Sequence, residues 1–198
     1  MTSLAAPATA GVLTFTDRDA WRNALNGKAT TLIDFNGFPP NTPASKQYAS
    51  QGIIFKPDQG VLPIISRDGG AFDTLDTAVG GQTIKWKFTG TVFAVGWDRT
   101  SGDDSYEYKI FDTSANLIGQ LNLDIPTDLG GLPFGGFISD IPIGSASNFS
   151  PNGDQRASID NIEFTPVSES VPEPEISSAL IATGLLSLIR FKARRRKA

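Results

Sequence analysis

Histidine and cysteine are both absent from this chain, so any chemistry it performs has to come from carboxylates, tyrosine, serine or lysine. Thiolate nucleophiles, Ser-His-Asp triads and ordinary zinc sites are excluded, as is the usual near-neutral acid/base group. Three groupings of oxygen-bearing residues remain. Asp34 and Asn36 stand near the first long apolar run, and Asp160 and Asn161 stand in the last. Hard oxygen donors suit Ca2+, while Asp and Asn also hydrogen-bond turns and strand ends. Asp34, Asn36 and Asp160 are therefore candidate ligands of a structural calcium ion, with turn formation as the alternative. Asp98, Asp103, Asp104 and Glu107 crowd the stretch DRTSGDDSYE. Gly102 is displaced for an EF-hand loop and alternate ligands are missing, so the patch reads as a solvated hairpin loop. Glu107 and Glu163 are the only glutamates within apolar, strand-like runs; a glycan-cleaving site would need carboxylate pairs at one of two set separations.

Trp21, Trp86 and Trp97 carry rings able to stack on sugars. Each lies in an apolar periodic context and is assigned to the core. Asn148-Phe149-Ser150 matches a glycosylation triplet, a pattern of little specificity.

Composition narrows the partners. The overall charge of −4 conceals an asymmetry: Arg190, Lys192, Arg194, Arg195, Arg196 and Lys197 hold six of the 17 Lys and Arg. Residues 1–189 therefore carry 11 basic against 21 acidic groups, a net of −10. An acidic body repels phosphate backbones, which argues against nucleic acid as a partner, and it stays compatible with a divalent cation or a glycan. With 198 residues, 20 Gly and 13 Pro, the chain has room for one β-rich domain with many turns and terminal appendages.

The elements that must position these groups follow from periodicity. Val12 to Phe15 reads as a short strand, followed by Thr16 at a helix N-cap position with Asp17 and Asp19 in the first turn. Ala20, Trp21, Ala24 and Leu25 form an apolar face, and Gly27 ends this one short helix. Strand signals dominate from there. Leu32 to Phe35, Gly52 to Phe55, the alternation Ile84, Trp86, Phe88, the continuous run Val92 to Trp97, the alternation Tyr106, Tyr108, Ile110, the stretch Leu117 to Leu123, then Phe137–Ile138 and Ile159 to Phe164 all read as strands. Turn residues punctuate them, and a mainly β, antiparallel two-sheet sandwich with one short N-terminal helix is the economical architecture.

The segments IDFNG (Ile33 to Gly37), QGIIF (Gln51 to Phe55), GFISDIPI (Gly136 to Ile143) and SIDNIEF (Ser158 to Phe164) resemble the exported jelly-roll-like β-sandwich domains of PEP-CTERM proteins. The placement of Asp34 and Asn36 in the first long strand and Asp160 and Asn161 in the last is also similar to the structural calcium sites that tie terminal strands together in carbohydrate-binding jelly rolls.

The chain ends on VPEPEISSALIATGLLSLIRFKARRRKA. Val171, Pro172, Glu173 and Pro174 form a stiff, extended peptide, because proline lacks a backbone donor and restricts φ. An apolar run follows from Ile176 through Leu180, Ile181, Leu185, Leu186 and Leu188 to Ile189, somewhat short of the roughly 20 residues that cross a bilayer comfortably. The basic cluster from Arg190 to Lys197 completes the series and stays cytoplasmic by the positive-inside tendency. This order resembles the PEP-CTERM sorting signal, which implies recognition by an exosortase-type enzyme, transient anchoring in the inner membrane and delivery to a surface rich in exopolysaccharide. A permanent single-span anchor and a basic amphipathic surface helix are the alternatives. Ala8-Thr9-Ala10 has the small residues of a signal-peptidase site without the preceding apolar region. The expected organisation is a leader or signal remnant over 1–10, a sandwich over 11–167, a linker with the Pro-Glu-Pro motif over 168–175, and a transmembrane helix with basic tail over 176–198. The function expected is that of a non-catalytic, sorted surface or matrix protein; the alternative is a small secreted glycan-active enzyme using paired carboxylates.

Overall fold

The computed structural model describes residues 11–57, 62–67, 72–77, 83–100, 105–123, 133–149, 151 and 157–166. In chain order these hold β1 (Val12–Phe15), α1 (Arg18–Ala24), β2 (Thr31–Ile33), β3 (Thr42–Pro43), β4 (Ile53–Pro57), β5 (Pro63–Arg67), β6 (Phe72–Asp76), β7 (Thr83–Arg99), β8 (Tyr106–Asp112), β9 (Leu117–Leu123), β10 (Phe134–Phe149) and β11 (Ser158–Pro166). The protein is mainly β, every strand pair is antiparallel, and α1 is the one α-helix among the described residues.

Two long strands build the sandwich. β7 and β10 pair at both ends, with register shifts between Ile138 and Ile143 and again before Ser145. Such bulges bend a strand and sharpen its twist, so each strand belongs to two sheets. The first half of β7 and the second half of β10 lie between β4 on one side and β8 and β9 on the other. The remaining halves lie between β1 and β11, with β2 and β6 on the far side of β11 and then β5 and β3. The alternation at Ile84, Trp86 and Phe88 and the continuous run Val92 to Trp97 are thus one strand with a bend, and GFISDIPI holds the bend of another.

Between the sheets lies the main core. Ile84, Trp86, Trp97, Tyr106, Tyr108, Phe137, Ile159, Ile162 and Phe164 are all buried, as their alternation requires. Trp86 and Trp97 meet edge-to-face at 4.8 Å, Trp97 lies 4.9 Å from Tyr108, and Phe35 contacts Tyr48 at 5.5 Å and Phe55 at 5.6 Å. Each such pair adds about 0.5–1.5 kcal/mol beyond its buried area. A second, smaller core forms on the outer face of the other sheet, where Trp21 of α1 and Leu25, the residue that caps it, pack on Ala94 and Phe134.

Local details correct the sequence reading at the helix start. Asp17, not Thr16, is the N-cap, and its carboxylate accepts the amide N–H of Ala20 at 2.7 Å. A carboxylate satisfies an orphan donor and the helix dipole together. The strand expected from Leu32 to Phe35 stops at Ile33, because Phe35 has φ 56°, a conformation that breaks extended pairing.

Candidate functional site

Among the described residues, ionisable side chains cluster where the arginines of α1 reach β11 and β7. Arg18 and Arg22 are four residues apart and so share one helix face. Glu163 lies on the outward face of β11, since its neighbours Ile162 and Phe164 point into the core. Arg18 Nη1 and Arg22 Nη2 each donate to Glu163 Oε2 at 2.7 Å, Arg22 Nε donates at 3.0 Å, and the Thr30 hydroxyl donates to Oε1 at 2.8 Å. The second amine of Arg18 reaches the carbonyl of Asn161 at 2.8 Å and Asp98 at 3.0 Å. Asn161 closes the ring by donating its side-chain amide to Asp98 Oδ2 at 2.9 Å.

A bulge makes this convergence feasible. Pairing of β11 with β7 shifts register between Asp160 and Glu163, and Asn161 within the shift takes φ 49°. Asn tolerates that region better than most residues. The kink turns its carbonyl and its side chain toward the same arginine and aspartate.

Electrostatics separate the carboxylates. Burial would raise the Glu163 acid, but hydrogen bonds from Arg22, Thr30 and Arg18 outweigh it and hold the group below its ordinary range. Asp160 moves the other way. Burial, reinforced by Asp98 and Asp34, pushes its pKa up to about 7 against the relief given by the Asn161 N–H and Arg18.

Two of the candidate calcium donors, Asp34 and Asp160, take part in local turn hydrogen bonds. Asp34 Oδ1 accepts the backbone N–H of Asn36 at 3.2 Å, and Asp160 Oδ1 accepts that of Asn161 at 2.7 Å. The Asp34 charge does help raise the Asp160 acid. Among the described residues no three acidic side chains are grouped so as to hold a metal ion, and Asp98 and Glu163 are both ion-paired with Arg18.

The other candidates resolve differently. Asp98 is 8% exposed and ion-paired, so it is no part of a solvated loop; Asp103 and Asp104 lie outside the described residues. Glu107 sits on the outer face of β8 and pairs with Lys109. Glu107 and Glu163 therefore occupy opposite outer faces of the sandwich, with the core between them. Trp21, Trp86 and Trp97 are fully buried, and so is Asn148, which accepts the Trp97 indole N–H at 3.3 Å. Asn148, the acceptor residue of the glycosylation triplet, is thus part of the core.

No protein-family model matches the chain, and no curated protein matches it. Among solved structures, a mutant of the family 29 carbohydrate-binding module CBM29-2 is 13% identical with a TM-score of 0.45, covering 69% of this chain and 91% of that one. Another mutant of that module, complexed with mannohexaose, is 14% identical with a TM-score of 0.45 over 69% and 91% of the two chains. The lectin domain of lectinolysin, complexed with Lewis B antigen, is 12% identical with a TM-score of 0.41 over 72% and 94%.

The sorting residues Val171 to Pro174, the apolar run Ile176 to Ile189 and the basic cluster Arg190 to Lys197 lie outside the described residues, as does the leader over 1–10. Sequence reasoning missed the arginine clamp. Its signal was there: Arg18 and Arg22 at helical spacing beside an apolar face, in a body with few basic residues.

Proposed function

We propose that this chain is an exported envelope protein, sorted through its C-terminus by an exosortase-type enzyme and delivered to a polysaccharide-rich surface or matrix. The observation that carries this reading is the order of three physically distinct segments: Val171 to Pro174, then Ile176 to Ile189, then Arg190 to Lys197. A stiff peptide offers a cleavable site, a short apolar run halts transfer in the inner membrane, and the basic cluster fixes orientation. The body is outward-facing, non-catalytic and glycan-associated. Its chemistry supports this over the carboxylate-pair enzyme. Glu163 is held ionised by two arginines, which suits it poorly to give a proton to a leaving group. Glu107 pairs with a lysine on the opposite face.

Localisation with intact-mass analysis, in cells that have and lack the processing enzyme, tests the reading. The expected result is a surface-located product shortened past the Pro-Glu-Pro motif only where the enzyme is present. A mature chain that keeps Arg194 to Lys197 in competent cells means a permanent anchor and overturns the processing step.

A further inference from the structure

At its bend β7 changes partners. Thr89, Gly90 and Thr91 lie between Phe88, which pairs with Ile53 of β4, and Val92, which pairs with Pro166 of β11. A cleft of about 340 Å3 opens at this bend. Ligand clefts run from about 300 to 1,000 Å3, so this one suits the end of a chain better than a length of it. Its other walls come from two places. A single turn of 3-10 helix, Ala49–Gln51, ends on Gly52 at φ 97°, a left-handed conformation that favours glycine. The Gly52 carbonyl accepts the Thr89 N–H at 2.9 Å, which joins that turn to the bend. β2 and the end of β11 close the far side, with Thr31 directly opposite Phe164.

Among the described residues, no Asp, Glu, Lys or Arg borders this cleft. Its rim is polar without being charged. Thr31, Ser50, Gln51, Thr89 and Thr91 border it; Thr31 is half-buried and the other four are exposed. None of the five side chains makes a hydrogen bond or an ion pair, so their full hydrogen-bonding capacity faces outward. Below the rim the surface is apolar. Phe164 and Val92, both buried, form the floor, and Pro166, which is exposed, lines one wall. The rim is also stiff. Three of its five side chains are threonines, whose branched Cβ restricts χ1, so binding costs them little rotamer freedom.

We propose that this cleft binds the end of a neutral hexose chain, with the C–H face of a sugar ring on Pro166 and the apolar floor and the ring hydroxyls on the rim. The site deepens the reading of the body as glycan-associated and rests on it. Its chemical class follows from the lining. A hydroxyl or a side-chain amide both donates and accepts, as does each hydroxyl of a sugar, so the rim satisfies such a ligand with no charge on either side. An acidic sugar would bring its carboxylate to a surface without a counter-charge, on a body whose net charge over residues 1–189 is −10. A wholly apolar ligand would strip water from the polar rim and return no hydrogen bonds. A neutral sugar avoids both costs.

Saturation-transfer NMR and titration calorimetry of the full-length chain, in a detergent without a sugar headgroup, test this. Linear oligosaccharides of glucose, galactose and mannose are the probes, and oligogalacturonate is the acidic control. The expected result is binding to at least one neutral probe and none to oligogalacturonate, with affinity unchanged between about 50 and 500 mM salt because no charge pair is involved. The double change Thr89→Val, Thr91→Val keeps the branched shape and removes two hydroxyls. It weakens binding about tenfold, equivalent to about 1.4 kcal/mol, and the pair Thr89→Ser, Thr91→Ser keeps it. The double change Thr14→Val, Thr16→Val, at two exposed threonines outside the cleft, leaves it unchanged. Equal loss in both Val pairs, or equal binding of oligogalacturonate, overturns the proposal. Neutral binding that Thr89→Val, Thr91→Val leaves intact refutes this cleft and spares glycan association elsewhere on the body. No binding to any probe overturns the cleft and the glycan association together, and the sorting reading then stands or falls on terminal mapping by mass.

Discussion

Arg18 and Glu163 are joined by a 2.7 Å ion pair in which the carboxylate is only 5% exposed. Through the other arm of the same guanidinium, helix α1 is tied to Asn161 and Asp98 as well. Removing one partner of a buried pair leaves the other charge desolvated and uncompensated, at about 3–5 kcal/mol. Arg18→Ala is therefore expected to cost about 3 kcal/mol in urea unfolding, at the low end because Arg22 and Thr30 still hold Glu163, Asn161 still donates to Asp98 and Arg18 keeps some solvent contact. Arg22 is 48% exposed, and Arg22→Ala should cost about 1 kcal/mol or less. Equal costs for the two would mean that the clamp is a surface feature.

The bend in β10 predicts a second asymmetry. A Cβ built on Gly144 would lie 2.7 Å from the carbonyl oxygen of Asp112 and from Thr113 Cα. Those are backbone atoms and cannot rotate away. Gly144→Ala should cost about 1–3 kcal/mol as overpacking, whereas Gly90→Ala, in open space, should leave the unfolding free energy within about 0.5 kcal/mol of the parent. A tolerated Gly144→Ala would show that β8 and β10 are looser at the bend than their register implies.

Much of the sandwich is legible in the sequence because alternation is a strong signal. Trp86, Trp97 and Tyr108 each sit one residue from a polar neighbour or within an apolar run, and all three are core. Less legible are features that depend on partners far along the chain. Nothing local in Thr83 to Arg99 says that one strand serves two sheets, since that follows from its pairing with β4 at one end and β11 at the other. The strands β3, β5 and β6 leave little trace because they are short and carry Pro, Ser and Asp, residues that weaken a strand pattern. At the site, the nearness of Asp34 to Asp160 follows from the pairing of β2, which ends one residue before Asp34, with β11, but the arginines that neutralise the neighbouring carboxylates come from a helix about 140 residues away.

Asn148 offers a check on the polar core. Its side-chain oxygen takes the Trp97 indole N–H inside the sandwich, so Asn148→Ala leaves that donor buried without an acceptor. The expected cost is about 1–3 kcal/mol, read by urea unfolding. Slow hydrogen exchange of the Trp97 indole should quicken in the variant. An indole that exchanges at the parent rate would mean that a different group satisfies it.

Glu163 and Asp160 should impose opposite pH dependences on one fold. Glu163 has a lowered pKa in the folded state, so its contribution is full above the unfolded carboxylate range and is lost as pH falls through the folded value. Asp160 is raised from 3.8 to about 7. Folded protein then holds a proton that unfolded protein has released, and stability declines as pH rises from about 4 to 7, levelling above that. Urea unfolding from pH 3 to 8 should therefore give a maximum on the acid side of neutrality. Asp160→Asn keeps an acceptor for the Asn161 N–H and removes the titration, so it should flatten the decline between pH 4 and 7 and raise stability most at pH 8. Glu163→Gln should weaken the protein near neutrality and remove part of the acid limb. A decline toward pH 7 that persists unaltered in Asp160→Asn assigns it to another group and removes the buried proton from this site.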